Sequence, residues 1–286
     1  MKKISLRNRL IFYLMFIGIM PLLIVFILVF FHNADTIRQQ EIEGLRTIRD
    51  LKLKRVHQWF EEREGDINVI TGDYEIRSLE NIFSSGILTE TDSSTLYAAQ
   101  HLLERYKESY ADYSEIFILH PESGKVMLSS NKNNVGKIKA ERPYFREVIR
   151  KKQVFFQDVH RSSATGEMQM IVSAPVYCMT HNEHMIGVVA CRINLDANLY
   201  PLLLDRSGLG NTGESLIIDS LGYALNNLRH YDNAPLNLKI KATPAQMAIE
   251  GKTGIIEEAD YRGVQVIAAY TSIPGMNWGF VVKQDR

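Results

Sequence analysis

Apolar side chains fill one unbroken run near the amino terminus, from residue 10 to residue 31. The run contains no charged residue, and as a helix it spans roughly the 30 Å of a bilayer core. The pattern therefore predicts a transmembrane helix over residues 10–31. A cleaved signal peptide, the alternative, has a shorter apolar core followed by small residues. Here the run leads into Phe30-Phe31-His32-Asn33, so we expect an uncleaved anchor.

Charged residues around the run predict its orientation. Four basic residues precede it: Lys2, Lys3, Arg7 and Arg9. Only Arg38 stands close behind it. Because basic flanks favour the cytoplasmic side, residues 1–9 are predicted to be a cytoplasmic tail. The chain from His32 onward is then extracytoplasmic, anchored in the cell (inner) membrane.

Between residues 33 and 70 the pattern becomes that of an amphipathic helix. Apolar residues recur mostly three or four positions apart, at Ile37, Ile42, Leu45, Ile48, Leu51, Leu53, Val56, Trp59 and Phe60. We expect one long helix that continues the membrane helix outward. Its apolar face packs on a domain, on the same helix of a second subunit in a homodimer, or on both. With a polar break at 89–94 and a helix at 94–109, it forms a stalk region over residues 32–110.

Beyond residue 114 the pattern changes to that of β-strands. Strands are predicted at 115–120, 125–130, 154–161, 168–178 and 185–195, with a helix at 144–151. Gly124 suits the tight turn between the first two strands, and Pro143 suits the start of the helix.

The same order of elements returns in the last third of the chain. Strands are predicted at 214–219, 223–226, 254–259, 263–270 and 278–283, with a helix at 242–250. A period of about a hundred residues is too long for a solenoid repeat. The sequence therefore predicts an α+β fold in which a long N-terminal helix, preceded by one transmembrane helix, carries two tandem antiparallel-sheet lobes. We place these lobes at residues 111–205 and 206–286.

Composition excludes some classes of protein. Lys plus Arg and Asp plus Glu number 33 each, so the formal charge is zero and no basic field favours nucleic acid as a partner. The two cysteines, Cys178 and Cys191, lie on a predicted hairpin that sets Cys191 opposite a residue near Ala174. Their sulfur atoms are then too far apart to bond. We expect two buried thiols and no disulfide.

No catalytic motif appears in residues 1–286. There is no Gly-x-Ser-x-Gly elbow and no Walker phosphate loop. The glycines of 208–213 have the spacing of a dinucleotide fingerprint but precede a strand, so that interpretation fails. His181 and His184 lie in a polar loop with no third ligand nearby in sequence, so we expect no metal site. The sequence predicts neither an enzyme nor a cofactor in this region.

A small-molecule pocket is better supported, and its candidate residues lie in the first lobe: Arg142, Tyr144, Asp158, His160, Ser162 and Arg192. Arg142 precedes a helix whose free N–H groups favour an anion. His160 and Ser162 lie two apart on one face of a strand. Arg192 shares a strand face with Val188 and Ala190, where a charge needs a partner.

Each candidate also has a structural interpretation. Arg142 could pair with Glu141 or Glu147, and Arg192 could pair with Asp158 or Asp196. Tyr144 and Phe145 could be core aromatic residues, although the Tyr144 hydroxyl could also reach a ligand.

Several short strings resemble, in their order and spacing, the double Cache sensor domains of bacterial and archaeal transmembrane receptors. The strings are Glu141-Arg-Pro-Tyr-Phe145, Ser163-Ala-Thr-Gly166, Ser173-Ala-Pro-Val176, Gly187-Val-Val-Ala190, Gly208-Leu-Gly-Asn-Thr-Gly-Glu214, Asp260-Tyr-Arg-Gly263 and Trp278-Gly-Phe-Val281. The resemblance covers about residues 33–286. It implies two PAS-like lobes, with a small ligand usually held by the lobe farther from the membrane.

The resemblance also implies a signalling role. Such domains normally stand between two membrane helices that lead to a histidine kinase, a diguanylate cyclase or a methyl-accepting region. The chain stops at Gln284-Asp-Arg286, about where the second membrane helix begins in the family. We expect the sensory front end of a longer receptor, a sensor histidine kinase first among the possibilities. The alternative is a complete protein without an output domain.

The ligand class follows from departures from the family pattern. In the amino-acid-binding branch, the positions aligned with Arg192 and Ser162 hold aspartates, the position aligned with His160 holds a tyrosine, and an Arg-x-Trp-Tyr string precedes the helix. Here those residues differ and the string is absent. The resemblance therefore favours a small organic acid over an amino acid. An ectodomain that binds a protein partner without a small ligand stays open as a second hypothesis, and a membrane-anchored enzyme as a third.

Overall fold

The computed structural model describes residues 6–85, 90–110, 112–162, 166–179 and 184–286. Their architecture is the predicted one, a long helix followed by antiparallel sheets.

Helix α1 runs without interruption over Leu6–Gly72 and includes Pro21. Its apolar amino-terminal part is the one stretch of the described chain that is long and apolar enough to cross a membrane, and none of it is buried in the fold. Farther along, Leu45, Val56 and Trp59 are buried. The amphipathic stripe predicted for residues 33–70 therefore packs on the sheets.

Three shorter helices follow and are named α2 (Tyr74–Arg77), α3 (Glu80–Ser85) and α4 (Glu90–Ser109). The polar break predicted at 89–94 is wrong from residue 90 onward, because α4 already begins at Glu90. Serine, threonine and aspartate weaken a helix without breaking it. Residue 89 lies outside the described residues.

Five strands form the first sheet: β1 (Tyr113–Leu119), β2 (Val126–Ser129), β3 (Phe155–Arg161), β4 (Met168–Tyr177) and β5 (Met185–Asn194). Their order is β2-β1-β5-β4-β3, and all pairs are antiparallel. Helix α5 (Pro143–Lys151) lies between β2 and β3 in the chain and begins with Pro143, as predicted. A short helix, α6 (Leu199–Leu204), follows β5.

Both faces of the first sheet are buried, and successive side chains of each strand point to opposite faces. Ile116 and Cys191 point into the core shared with α1. Phe117 and Ala190 point to the opposite side, where α5 packs; we call this the α5 face. Cys191 lies opposite Val172, so the predicted pairing near Ala174 is wrong by two residues. Cys178 and Cys191 are both buried thiols, as predicted.

The second sheet contains β6 (Glu214–Ile218), β7 (Gly254–Ala259), β8 (Gln265–Ile273) and β9 (Trp278–Asp285), with helix α7 (Thr243–Ile249) before β7. Its order, β6-β9-β8-β7, repeats β1-β5-β4-β3 of the first sheet. The strand predicted at 223–226 is wrong. That segment makes only isolated bridges, Ile218 with Ala224 and Tyr223 with Lys239.

Contacts with α1 order the two lobes along the helix. Arg38, close to the apolar segment, donates to Glu257 of β7 at 2.8 Å. Arg63, about 35–40 Å farther along the helix axis, pairs with Asp112 just before β1. We therefore call the β6–β9 lobe proximal and the β1–β5 lobe distal.

The junction of the lobes with α1 contains a buried lysine. The ammonium of Lys52 donates to the carbonyl oxygens of Leu202 at 3.0 Å and Leu203 at 3.3 Å, at the end of α6. It also lies 3.2 Å from the hydroxyl of Ser215 in β6. Burial lowers the pKa of Lys52 to about 8. One charged group of the long helix thus holds the connection between the lobes.

Candidate ligand-binding site

The α5 face carries an ion pair at the end of two neighbouring strands. Glu115 of β1 and Arg192 of β5 are paired in register, and the Arg192 guanidinium lies 3.2 Å from the Glu115 carboxylate. The side chain of Arg192 is 23% exposed and that of Glu115 only 6%. The partner that this arginine requires is therefore Glu115. The pairings with Asp158 or Asp196 considered from the sequence are wrong, because cross-strand register decides the contact.

Two more donors complete the surroundings of Glu115. The Ser129 hydroxyl and the Asn134 side-chain amide each donate to one carboxylate oxygen at 2.7 Å. The other oxygen accepts from Arg192. Both oxygens of this buried carboxylate therefore have donors inside the protein. Glu115 is therefore committed to internal contacts and offers little to an external cation.

A chain of hydrogen bonds links Arg192 to β3. Arg192 donates to the carboxamide oxygen of Gln169 in β4. The Gln169 amide nitrogen lies 2.9 Å from Nε2 of His160, and Nδ1 of His160 lies 2.9 Å from the carbonyl oxygen of Asp158. Nε2 therefore accepts from Gln169, while Nδ1 faces both the Asp158 carbonyl oxygen and the Gln157 amide nitrogen, 3.2 Å away. Burial lowers the pKa of His160, and the positive charges of Arg192 and Arg142 lower it further, although the hydrogen bond to the Asp158 carbonyl oxygen raises it. His160 is therefore neutral at pH 7.

Arg142 stands at the start of α5, exposed, and its side chain makes no capping hydrogen bond. The pairings with Glu141 or Glu147 considered from the sequence do not form. Instead Glu141 pairs with Arg146 at 3.5 Å, and Glu147 pairs with Arg150 at 2.5 Å. Within the described chain no ion pair engages the Arg142 guanidinium. Its charge is available to a ligand.

A third cation, Lys139, was missed by the sequence analysis. It is half-buried, and its pKa is lowered by burial and then by the positive charges of Arg142, Lys137 and Arg192. The available signal was the run Lys137-Ile-Lys-Ala-Glu-Arg142 directly before Pro143. Lys139, Arg142 and Arg192 therefore lie within electrostatic range of one another at the amino-terminal end of α5, and Glu115 is the carboxylate of the described chain that acts on Lys139 there.

Tyr144 is a core aromatic residue, and its hydroxyl stays a candidate for contact with a ligand. Its ring is buried and packs edge-on against Phe117, with centroids 5.8 Å apart. Burial raises the pKa of Tyr144 to about 12, although Arg192 and Arg142 act to lower it. The hydroxyl is thus protonated and within electrostatic range of both arginines, where it can donate to an anion.

Ser162 and Asp158 are the two remaining candidates. Ser162 is buried at the end of β3, where its carbonyl oxygen accepts from the Gly166 N–H at 2.9 Å; residues 163–165 of the predicted turn lie outside the described residues. Asp158 faces the proximal lobe instead, and its carboxylate accepts from the Trp278 indole at 2.6 Å. A bulge between Gln157 and His160 breaks the alternation and turns Asp158 away. We therefore correct the assignment of Asp158 from the ligand site to the contact between the lobes.

The proximal lobe repeats the ion pair at the corresponding position. Glu214 of β6 lies opposite Lys283 of β9, and their charged atoms are 2.8 Å apart. Lys283 also pairs with Asp260, and Arg262 bridges Asp260 and Asp285. Two cations here face three carboxylates and every one is engaged. The group at the start of α5 in the distal lobe has the opposite balance, with Lys139, Arg142 and Arg192 around the Glu115 carboxylate.

Comparison with known families decides the class of protein. A sequence profile of the Cache domain family, dCache_1, matches residues 33–286. The chain belongs to the Cache domain family. No curated protein sequence matches the chain. Cache domains are extracytoplasmic, non-catalytic sensors of membrane receptors, so the resemblance and the predicted fold class are confirmed.

Solved structures show the same fold. The ligand-binding domain of the Pseudomonas aeruginosa PAO1 amino acid chemoreceptor PctC, in complex with GABA, is similar with a TM-score of 0.62 at 17% identity, over 85% of this chain and 99% of that one. The sensor domain of the V. cholerae histidine kinase DctB has a TM-score of 0.62 at 16% identity, over 87% and 98%. The Campylobacter jejuni chemoreceptor Tlp3 domain, with L-norvaline, has a TM-score of 0.63 at 12% identity, over 86% and 91%. At these identities the likeness concerns the fold alone.

Proposed function

We propose that this Cache domain is the extracytoplasmic input domain of a transmembrane receptor and binds a small organic anion on the α5 face of the distal lobe. The observation that carries the proposal is the charge balance of that face. Lys139, Arg142 and Arg192 converge there, and the one carboxylate among them, Glu115, is already engaged by three donors. A carboxylate ligand would supply the missing negative charge.

The same charge balance disfavours an amine ligand. An ammonium group entering the cluster would lie beside three cations, and Glu115 has no free oxygen to receive it. Two of the neighbours bind amino acids, GABA in PctC and L-norvaline in Tlp3. Their sequence identity to this chain is too low to assign it the same preference for amino acids. Arginine suits a carboxylate because its planar fork can donate two parallel hydrogen bonds.

Signal transfer is proposed to run through α1. A bound anion would draw the start of α5, with Arg142, toward the sheet that packs on α1, and two helix arrangements with different affinity for the ligand are sufficient for a signal. We propose that α1 crosses the membrane with its apolar part and pairs with α1 of a second subunit. Ile37 and Leu51, 56% and 59% exposed, remain uncovered for such a seam. A histidine kinase or diguanylate cyclase is the proposed output of the receptor.

The test is a ligand screen on the full chain in detergent micelles. Thermal unfolding is measured with a panel of mono- and dicarboxylic acids and, separately, amino acids and amines. Stabilisation by carboxylic acids is expected. Calorimetric titration of the best acid then compares wild type with Arg142→Ala and Lys139→Ala. Each variant removes a charge-assisted hydrogen bond worth about 1.5–3 kcal/mol, so the Kd should rise about tenfold or more.

Arg146→Ala is the matched control, because Arg146 lies on the same helix, is exposed, and pairs only with Glu141 among the described residues. Its Kd should equal that of wild type. Stabilisation by amino acids with all acids inert would overturn the anion proposal. An unchanged Kd in both Arg142→Ala and Lys139→Ala would show that the acid binds elsewhere.

A further inference from the structure

Side chains from three elements meet where the β4–β5 hairpin contacts α3. Glu80 is the first residue of α3, Cys178 follows β4, and His184 precedes β5. One carboxylate oxygen, the thiol sulfur and one imidazole nitrogen all lie within 4.8 Å of one another. This group is on the opposite side of the distal lobe's sheet from the cationic cluster, since Cys178 belongs to the core that α1 shares.

We propose that Glu80, Cys178 and His184 form a binding site for a thiophilic divalent cation of the zinc class. Sulfur, imidazole nitrogen and carboxylate oxygen are the three protein ligands that zinc takes, and three of them leave a fourth position for water. Bond lengths of about 2.0–2.3 Å place the ligand atoms of a tetrahedral site about 3.3–3.6 Å apart. The observed separations, at most 4.8 Å, therefore need to close by no more than about 1.5 Å, within the reach of side-chain rotation.

The backbone already holds two of the ligands in place. The N–H of Cys178 donates to the carbonyl oxygen of His184 at 3.0 Å, which fixes the two residues opposite each other. Arg77 of α2 donates to the carbonyl oxygens of Tyr177 at 3.1 Å and Cys178 at 2.6 Å. These bonds tie the hairpin to the helices that carry Glu80. The ligands are thus presented by ordered elements on both sides.

Charge and access also fit a cation. A thiolate and a carboxylate balance the two positive charges of the metal, and the thiol proton leaves to solvent when the metal binds. Neither the Glu80 carboxylate nor the His184 ring has a hydrogen bond or ion pair to another described residue. Cys178 is buried and His184 is exposed, so the metal can enter from the His184 side. Sequence reasoning rejected zinc for want of a third ligand, and the fold supplies two.

The experiment uses the full chain in detergent micelles with its thiols kept reduced by a phosphine. Cobalt(II) and zinc(II) are titrated as single metals. One equivalent of cobalt should produce a thiolate-to-cobalt charge-transfer band, and zinc should displace it. Cys178→Ser should abolish the band, while Glu80→Gln and His184→Ala should each weaken zinc binding at least tenfold by competition with a chromophoric chelator.

Two matched controls separate the site from other donors. Cys191→Ser removes the other buried thiol, and His101→Ala removes an exposed histidine of α4; both should bind like wild type. If Cys178→Ser does not fold, the Glu80→Gln and His184→Ala variants still decide the question. A wild type without the charge-transfer band, or unchanged zinc affinity in both Glu80→Gln and His184→Ala, would overturn the proposal.

Discussion

Replacing Arg192 tests whether this residue stabilises the fold through its ion pair with Glu115 or serves only to bind a ligand. The replacement Arg192→Met keeps the apolar stem of the side chain and removes the guanidinium. Glu115, 6% exposed, then retains only the Ser129 and Asn134 donors and loses its counter-charge. Breaking a buried pair from one side costs about 3–5 kcal/mol. Since Arg192 is 23% exposed and solvent screens part of the interaction, we expect roughly 2–3 kcal/mol.

The assay is thermal unfolding of the full chain in micelles without ligand. For a folded unit of this size each kcal/mol lowers the Tm by about 2–4 °C, so Arg192→Met should lower it by about 4–12 °C. The double variant Arg192→Met with Glu115→Gln should recover at least half of that loss, because the uncompensated buried charge is gone. Arg146→Met, an exposed arginine, should leave the Tm within about 1 °C of wild type.

One outcome contradicts this reasoning. If Arg192→Met leaves the Tm unchanged and Glu115→Gln does not couple to it, Glu115 does not depend on Arg192. The arginine would then act only toward a ligand, and the pairing seen across β1 and β5 would carry no stability.

Three other features give checkable outcomes. Burial lowers the pKa of Lys52 from 10.5 to about 8, so between these values the unfolded chain binds more protons than the folded chain. The free energy of unfolding of wild type, relative to Lys52→Met, should therefore rise with pH from 8 to 10 by up to about 1.4 kcal/mol per pH unit. A difference between the two proteins that does not change with pH contradicts this. Trp278→Phe removes the indole donor to the exposed Asp158 carboxylate and should lower the free energy of unfolding by about 0.5–1.5 kcal/mol; an unchanged free energy would show that this bond adds nothing to the contact between the lobes. Cysteines placed at Gly44 or Leu51, exposed on α1, should crosslink between subunits in membranes far faster than one at buried Leu45; equal rates would refute the proposed seam.

Hydrophobic patterning alone determined most of the fold. The apolar run and the three-to-four spacing after it predicted one long helix, and α1 spans both without a break. Short apolar runs bounded by turn residues predicted nine of the strands in place. The failed strand at 223–226 also follows a turn, but its backbone makes only isolated bridges.

The site was predictable only in part, because its contacts depend on which strands are neighbours. The sequence by itself identified Arg142, Tyr144, His160 and Arg192 as polar or aromatic groups at strand and helix ends. Tertiary structure selected Glu115 as the partner of Arg192, since the two strands are far apart in the chain and meet only in the sheet. It also added Lys139.

Local irregularity and distant elements decided the rest. A one-residue bulge in β3 reverses which side chain faces which way, and it sends Asp158 to Trp278 of the other lobe. Cys178 and His184 border one hairpin loop and are close in sequence, but the third proposed metal ligand, Glu80, comes from α3, and no spacing in the sequence could reveal that it joins them. Periodicity records which face of an element is buried; only the assembled fold decides which side chains from different elements share that face.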